Sequence, residues 1–174
     1  MEENLIYDRT LEDVEYAKAH PDSTEFLKGA FNFTDLNRIE LWTIYCNSLL
    51  AEIGINVEIT PVKTFVVRTY NGLSNYTYDD LSDLNYTAVL YSGGWSKYDT
   101  PTLQQINQIR QNIDNMKEAF NIGNDLEIEY TNYIDYEQLN ILEKILQEIK
   151  NNVDNITRGY IFSGTFNCGE QLIR

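Results

Sequence analysis

Apolar residues recur along three stretches of this 174-residue chain at intervals of three and four, the spacing that places side chains on one face of an α-helix. The first stretch holds Leu36, Ile39, Trp42, Cys46, Leu49 and Ile53. The second holds Leu103, Ile106, Ile109, Ile113, Met116 and Phe120, and the third Leu139, Leu142, Leu146, Ile149, Val153 and Ile156. Boundary residues sharpen each stretch. Thr34 is the expected N-cap of the first helix and Gly54 its stop. Thr100 is the expected cap of the second, with Pro101 at the first helical position, where a missing N–H costs nothing. Asp135 and Gln138 read as a capping box for the third, Ile134 is placed to staple onto Leu139, and Arg158-Gly159 is the expected end. A shorter helix over 8–18 has Thr10 as N-cap and acids in its first turn, and His20-Pro21 closes it.

The remaining segments alternate with a period of two. Residues 55–61 read as a half-buried strand and 64–69 as a second β-branched run, with Pro61 marking a break. Asn71-Gly72 is a turn signal, and 87–91 is strand-like, so 60–92 reads as a hairpin or an irregular β excursion. The aromatic run from Tyr160 to Phe166 predicts a final strand. The expected fold class is α+β, predominantly helical: three long amphipathic helices in a bundle, a small β excursion and a C-terminal strand. One domain spans 1–174. It divides into N-terminal helices and strand (1–59), a tyrosine-rich β insertion (60–92), two long helices (93–157) and a C-terminal strand or tail (158–174).

Composition narrows the function classes. The length suffices to bury a core, and 43% hydrophobic with 13% aromatic residues argues against global disorder. The net charge of −14, with no basic stripe, removes the phosphate attraction that drives nucleic-acid binding and disfavours anionic membranes. No apolar run approaches the roughly 20 residues of a spanning helix. The opening Met-Glu-Glu-Asn lacks the basic and apolar regions of a secretory signal, so an intracellular product is expected.

Candidate chemistry is sparse. Two cysteines are too few for a disulfide scaffold, and Cys46 falls on a helix stripe as a small hydrophobe. The single histidine, His20, has no nucleophile or second ligand in any motif around it. Asp79, Asp80 and Asp83 do not follow the EF-hand spacing, and Gly93-Gly94 is a hinge before a helix, outside any phosphate-loop pattern. The reading is therefore non-enzymatic, with no catalytic, cofactor or metal residues. Leu36, Ile39, Trp42, Cys46, Trp95, Ile113, Leu142 and Ile149 are the candidate core. Tyr76, Tyr78, Tyr86, Tyr91, Tyr160 and Phe162 are the candidate partner-binding residues, because tyrosines among Asn and Asp combine flat apolar faces with hydrogen-bonding groups.

Four blocks together carry a resemblance. They are 6–14, the segment 28–39 with its Gly-Ala-Phe-Asn-Phe-Thr-Asp core, Trp95-Ser-Lys-Tyr-Asp-Thr-Pro-Thr102 before a helix, and 136–156 followed by Tyr160-Ile-Phe-Ser-Gly164. The chain resembles a module of tail- and baseplate-associated structural proteins of phages and prophages of Gram-positive bacteria. That resemblance implies a structural subunit of a tail, baseplate or tail-fibre assembly, made in the host bacterial cytoplasm and resident in the virion tail. Its implied partners are other tail or baseplate proteins and further copies of itself. An alternative is a receptor- or glycan-binding module at the host-facing tip, contacting a host-surface glycan or protein. Residues 60–92 are longer than the link expected in that module, and an insertion there is the place to look for a partner.

Overall fold

The computed structural model describes residues 4–23, 25–68, 90–123 and 125–164, with the backbone alone at 66–68, 90–92 and 160–164. Four helices and one short strand pair make up its regular structure. They run in the order α1 (Leu11–Ala19), α2 (Phe33–Glu52), β1 (Phe65–Arg68), β2 (Leu90–Gly93), α3 (Leu103–Ala119) and α4 (Tyr136–Gly164). α4 packs against both α2 and α3, and α2 touches α3.

The architecture is helical, which corrects the α+β expectation. The segment expected to form a C-terminal strand is helix as far as Gly164, so the boundary drawn at 157/158 falls inside α4. Gly159 takes no positive φ, and a Cβ there would meet nothing within 4 Å. An interior glycine costs a helix only about 1 kcal/mol, and without the left-handed turn that ends many helices it does not stop this one. Residues 55–61 belong to no helix or strand. β1 and β2 pair antiparallel, Phe65 opposite Gly93 and Arg68 opposite Leu90, as a two-stranded ribbon too small to make a layer.

Three helix starts also differ from expectation. Asn32 caps α2 in place of Thr34: its side chain accepts from Thr34 N at 2.8 Å, while Asp35 accepts from Asn32 N at 3.0 Å. This reciprocal box satisfies two otherwise orphaned donors. Thr102 caps α3 with Gln105 as its box partner, so Thr100 and Pro101 precede the helix. Thr10 caps α1, again reciprocally with Asp13. At α4, Asp135 accepts from Gln138 N at 2.8 Å, but the Gln138 side chain turns away to accept from Glu129 N at 2.9 Å.

The core lies where the three long helices meet. Leu36, Ile39, Cys46 and Leu50 of α2 face Ile109, Ile113 and Met116 of α3, and Leu142, Ile145, Leu146 and Ile149 of α4. Trp95, Leu126 and Ile128 close it from the connecting segments. Leu103 and Ile156, at the ends of their stripes, stay exposed. By contrast α1 buries only Ala17 and lies at the surface. Gly29 holds it there by close approach, since a Cβ at that position would sit 2.1 Å from the Asp13 carbonyl oxygen. Lys28 adds ion pairs to Asp8 at 3.0 Å and Asp13 at 3.5 Å.

Candidate functional site

The polar interior is built from helix side chains that grip non-helical backbone. Arg9, Asp35, Arg38 and Glu143 form one buried junction of two cations and two anions, drawn from the N-terminal segment, α2 and α4. Arg9 Nη2 reaches Asp35 at 2.9 Å and Glu143 at 2.8 Å. Arg38 forks onto Glu143 through Nε at 3.2 Å and Nη2 at 2.9 Å, and also bonds Asp35. Glu143 additionally accepts from Ile6 N, and Arg9 donates to the Ile6 carbonyl. Burial works against the Arg38 charge, but Glu143 and Asp35 outweigh it and hold the guanidinium above its ordinary value. With formal charges cancelled and most polar atoms paired, the junction escapes much of the penalty of an isolated buried ion.

A second device recurs three times. Asn37 of α2, Asn112 of α3 and Asn140 of α4 each grip one residue outside the helices by both backbone groups. Asn37 accepts from Trp95 N at 2.6 Å and donates to Trp95 O at 2.9 Å. Asn112 does the same to Thr60, at 3.0 and 2.8 Å. Asn140 does it to Arg9, at 3.0 and 2.8 Å. A carboxamide has one acceptor and one donor side by side, so it completes a β-type bridge that no neighbouring strand supplies. Residues 55–61 have strand-like alternation without a ladder, and Asn112 supplies the two bonds at Thr60 from a helix.

Glu40 extends the same logic with a charge. One oxygen accepts from Val62 N at 2.7 Å and Lys63 N at 3.3 Å, and the other from Trp95 Nε1 at 2.5 Å. Burial pushes its carboxyl above the usual range, and the indole and the two amides pull only partly back. Lys63 lies over the Trp95 ring, 4.7 Å from its centroid, and pairs with Asp99 at 3.1 Å. Gly94 makes this corner possible: its φ is +87°, and a Cβ there would come within 2.5 Å of Asn37 Oδ1 and Phe65 Cε1. Arg110, fully buried, donates to the Thr131 and Tyr133 carbonyls at 2.8 and 2.7 Å and to Asn107 at 2.9 Å. Its hydrogen-bond partners are dipoles, and burial holds its pKa below the ordinary value against the opposing pull of Tyr130 and Asp135.

Leu36, Ile39, Trp42, Cys46, Trp95, Ile113, Leu142 and Ile149 all lie in the core cluster. Burial pushes the Cys46 thiol up to about 12, and its Sγ donates to the Leu146 carbonyl at 3.4 Å, so it is a neutral packing group. Of the tyrosines proposed for partner binding, Tyr76, Tyr78 and Tyr86 lie outside the described residues. Tyr91 is in β2, and Tyr160 and Phe162 are in α4, each with only its backbone described. His20 is exposed, stacks on Tyr16 with ring centroids 4.2 Å apart, and takes the Tyr16 carbonyl at 2.8 Å. Among the described residues no group of three or more His, Cys, Asp or Glu could hold a metal ion, and no helix is long and apolar enough to cross a membrane.

The described residues also line open depressions. One, of about 570 Å³, lies beside the N-terminal segment and is lined by Asn4, Leu5, Tyr7, Asp8, Trp42, Gln147 and Lys150. Another, of about 590 Å³, follows the outer face of α3 and is lined by Leu103, Gln104, Asn107, Gln108, Gln111 and Tyr130. The sequence pattern missed both the clamps and this groove. A signal for the buried polar groups exists: Glu40, Arg110 and Glu143 each directly follow a stripe residue, and Asn112 directly precedes one. The buried faces are wider than the three-and-four spacing marks. No protein-family model matches the chain, and neither a curated protein nor a solved structure matches it.

Proposed function

We propose that this chain is a non-enzymatic structural subunit of a phage or prophage tail, baseplate or tail-fibre assembly, acting through protein–protein contacts. The observation that carries this reading is how the buried ionisable side chains are used. Arg9, Asp35, Arg38, Glu40, Arg110 and Glu143 bind other parts of the chain to one another, and most of their polar atoms, Arg9 Nε and Arg110 Nε excepted, are used in holding a shape. Catalysis asks for the reverse, with titratable groups aimed into a cavity where substrate can meet them.

The sequence blocks behind the tail resemblance lend support by meeting in space. Arg9 of the first block, Asp35 and Arg38 of the second and Glu143 of the fourth share the charged junction. Trp95 of the third is gripped by Asn37 and Glu40. The resembling residues thus belong to one packing unit, as a module kept for its shape would require. A rigid body built this way suits an assembly in which many copies present the same surface and avidity compensates for modest individual contacts.

The test is mass spectrometry and immuno-electron microscopy of particles produced from the same genetic locus. The chain is expected at fixed stoichiometry in purified particles, with label at the tail. Its absence from particles would sink the proposal.

A further inference from the structure

One face of α4 carries Asn140, Glu143, Gln147 and Lys150 at intervals of three and four. The first two hold the N-terminal segment: Glu143 accepts from Ile6 N, and Asn140 grips the backbone of Arg9. Tyr7 and Asp8 lie between those anchors, so their main chain is fixed on both sides. Gln147 and Lys150, the next two along the same face, bond to Asn151 and Asp154 of their own helix and to nothing in that segment. They line the depression of about 570 Å³ together with Asn4, Tyr7, Asp8 and the buried Trp42.

The polar lining here keeps capacity that other surfaces spend. Gln147 donates to Asn151 at 2.8 Å, which leaves its Oε1 open. Lys150 uses one N–H of three, toward Asp154 at 2.7 Å. Asp8 meets Lys28 through Oδ2 at 3.0 Å, and its Oδ1 has no partner among the described residues. Tyr7 is 46% exposed, and its hydroxyl has no partner among them either. The α3 groove is the opposite case, with Gln108 committed to Asn112, Gln111 to Asn115 and Asn107 to Arg110.

The chemistry of the lining also selects the ligand. Each charge on it already has a counter-ion, Lys28 for Asp8 and Asp154 for Lys150. A charged ligand would have to break one of those pairs or remain uncompensated itself. A hydroxyl is donor and acceptor at once, so neighbouring hydroxyls can accept from Lys150 and donate to Asp8 and Gln147 with both pairs intact. The Tyr7 ring adds a flat apolar face for C–H groups. We propose that this depression binds a neutral sugar ring, with Tyr7 against its apolar face and Asp8, Gln147 and Lys150 on its hydroxyls. The anchors at Ile6 and Arg9 place Tyr7 and Asp8 before the ligand arrives, which lowers the ordering cost of binding.

NMR titration of the isotope-labelled full chain with the methyl glycosides of glucose, galactose and mannose tests it. At least one should shift the amide resonances of Tyr7, Asp8, Gln147 and Lys150 together and saturably, with a dissociation constant on the order of 1 mM for one ring in an open site. Tyr7→Ala and Lys150→Ala should each weaken that binding about tenfold, a loss of one contact group. Gln104→Ala/Gln108→Ala, in the α3 groove, should leave it unchanged, and circular dichroism checks that each variant is folded. A comparison on the wild-type chain needs no variant: methyl glucuronide, an anion, and glucosamine, a cation, should both bind more weakly than the best neutral glycoside. The proposal is overturned if no neutral glycoside shifts those four residues, if the shifts fall in the α3 groove instead, if either charged sugar binds more tightly, or if a folded Tyr7 or Lys150 variant binds as wild type does. The chain's presence in particles is a separate measurement, so failure of this site leaves the tail reading to be decided there.

Discussion

The charged junction and the asparagine clamps solve one problem with different chemistry. Both hold non-helical backbone onto a helical body, and both act on Arg9: Asp35 and Glu143 through its guanidinium, Asn140 through its main chain. The junction depends on balance. Its two cations and two anions are mutually compensated, and deleting one leaves others buried without compensation. A clamp carries no such debt, and deleting one exposes two backbone groups that water can partly recover. Charges therefore make the N-terminal attachment strong but brittle, whereas the carboxamides at Thr60 and Trp95 make attachments that are individually modest.

The largest effect that would break this contrast is at Glu143. Glu143→Ala leaves Arg9 and Arg38 facing each other across Asp35 and should destabilise the fold by about 3–5 kcal/mol in urea denaturation. Replacing Arg9, Asp35, Arg38 and Glu143 together by apolar residues of similar volume should cost far less than that single change. If the single variant lost under about 1 kcal/mol, the junction would not be the brittle element described here.

Asn112→Ala comes next. It strands the Thr60 N–H and carbonyl and should cost about 1–3 kcal/mol, with faster amide exchange at Thr60 as the local signature. A smaller and more discriminating effect lies in coupling. Asn140 and Glu143 both act on the 6–9 segment, so a double-mutant cycle between them should give an interaction energy of about 0.5–3 kcal/mol, whereas Asn112 and Glu143 should be additive.

The smallest effects are titrations. Because burial raises the Glu40 carboxyl above its ordinary 4.5, the folded chain holds that proton to higher pH than the unfolded one. Its stabilising contribution is complete below the unfolded value and is lost as pH rises through the folded value. Asp13 and Asp99 run the other way: hydrogen bonds from Thr10 and from Ser96 lower them from 3.8, so their contribution is present above that value and is lost as pH falls through the folded one. Carboxyl-carbon NMR should find Glu40 titrating above 4.5 and both aspartates below 3.8. A Glu40 that titrated below 4.5 would mean that the bonds from the Trp95 indole and the two amides outweigh burial.

Much of the helical body was legible because its cause is periodic. Ile39, Cys46, Ile113, Leu142 and Ile149 sit at spacings that one helix face must bury, and Thr10 announces the start of α1 through local hydrogen bonds. Local rules faltered where two residues competed for one role. Asn32 took the cap from Thr34 because Asp35 could answer it, and Gln138 left its own cap for the Glu129 backbone. They failed outright at the C-terminal end, where an aromatic run with strand propensity continues as helix on the back of α4. Propensity there amounts to a few tenths of a kcal/mol per residue, too little to end a helix already nucleated.

By itself, then, the sequence determined the helix faces and the acidic character, since composition and short-range spacing are properties of neighbouring residues. Tertiary structure alone decided that Arg9 meets Glu143 across 134 positions and that Asn112 closes on Thr60 across 52. It also brought Tyr130 beside Gln111 and Asp114 of α3. The physical reason is that a buried polar side chain takes whichever unpaired group folding brings beside it, and nothing in its immediate neighbours names that group.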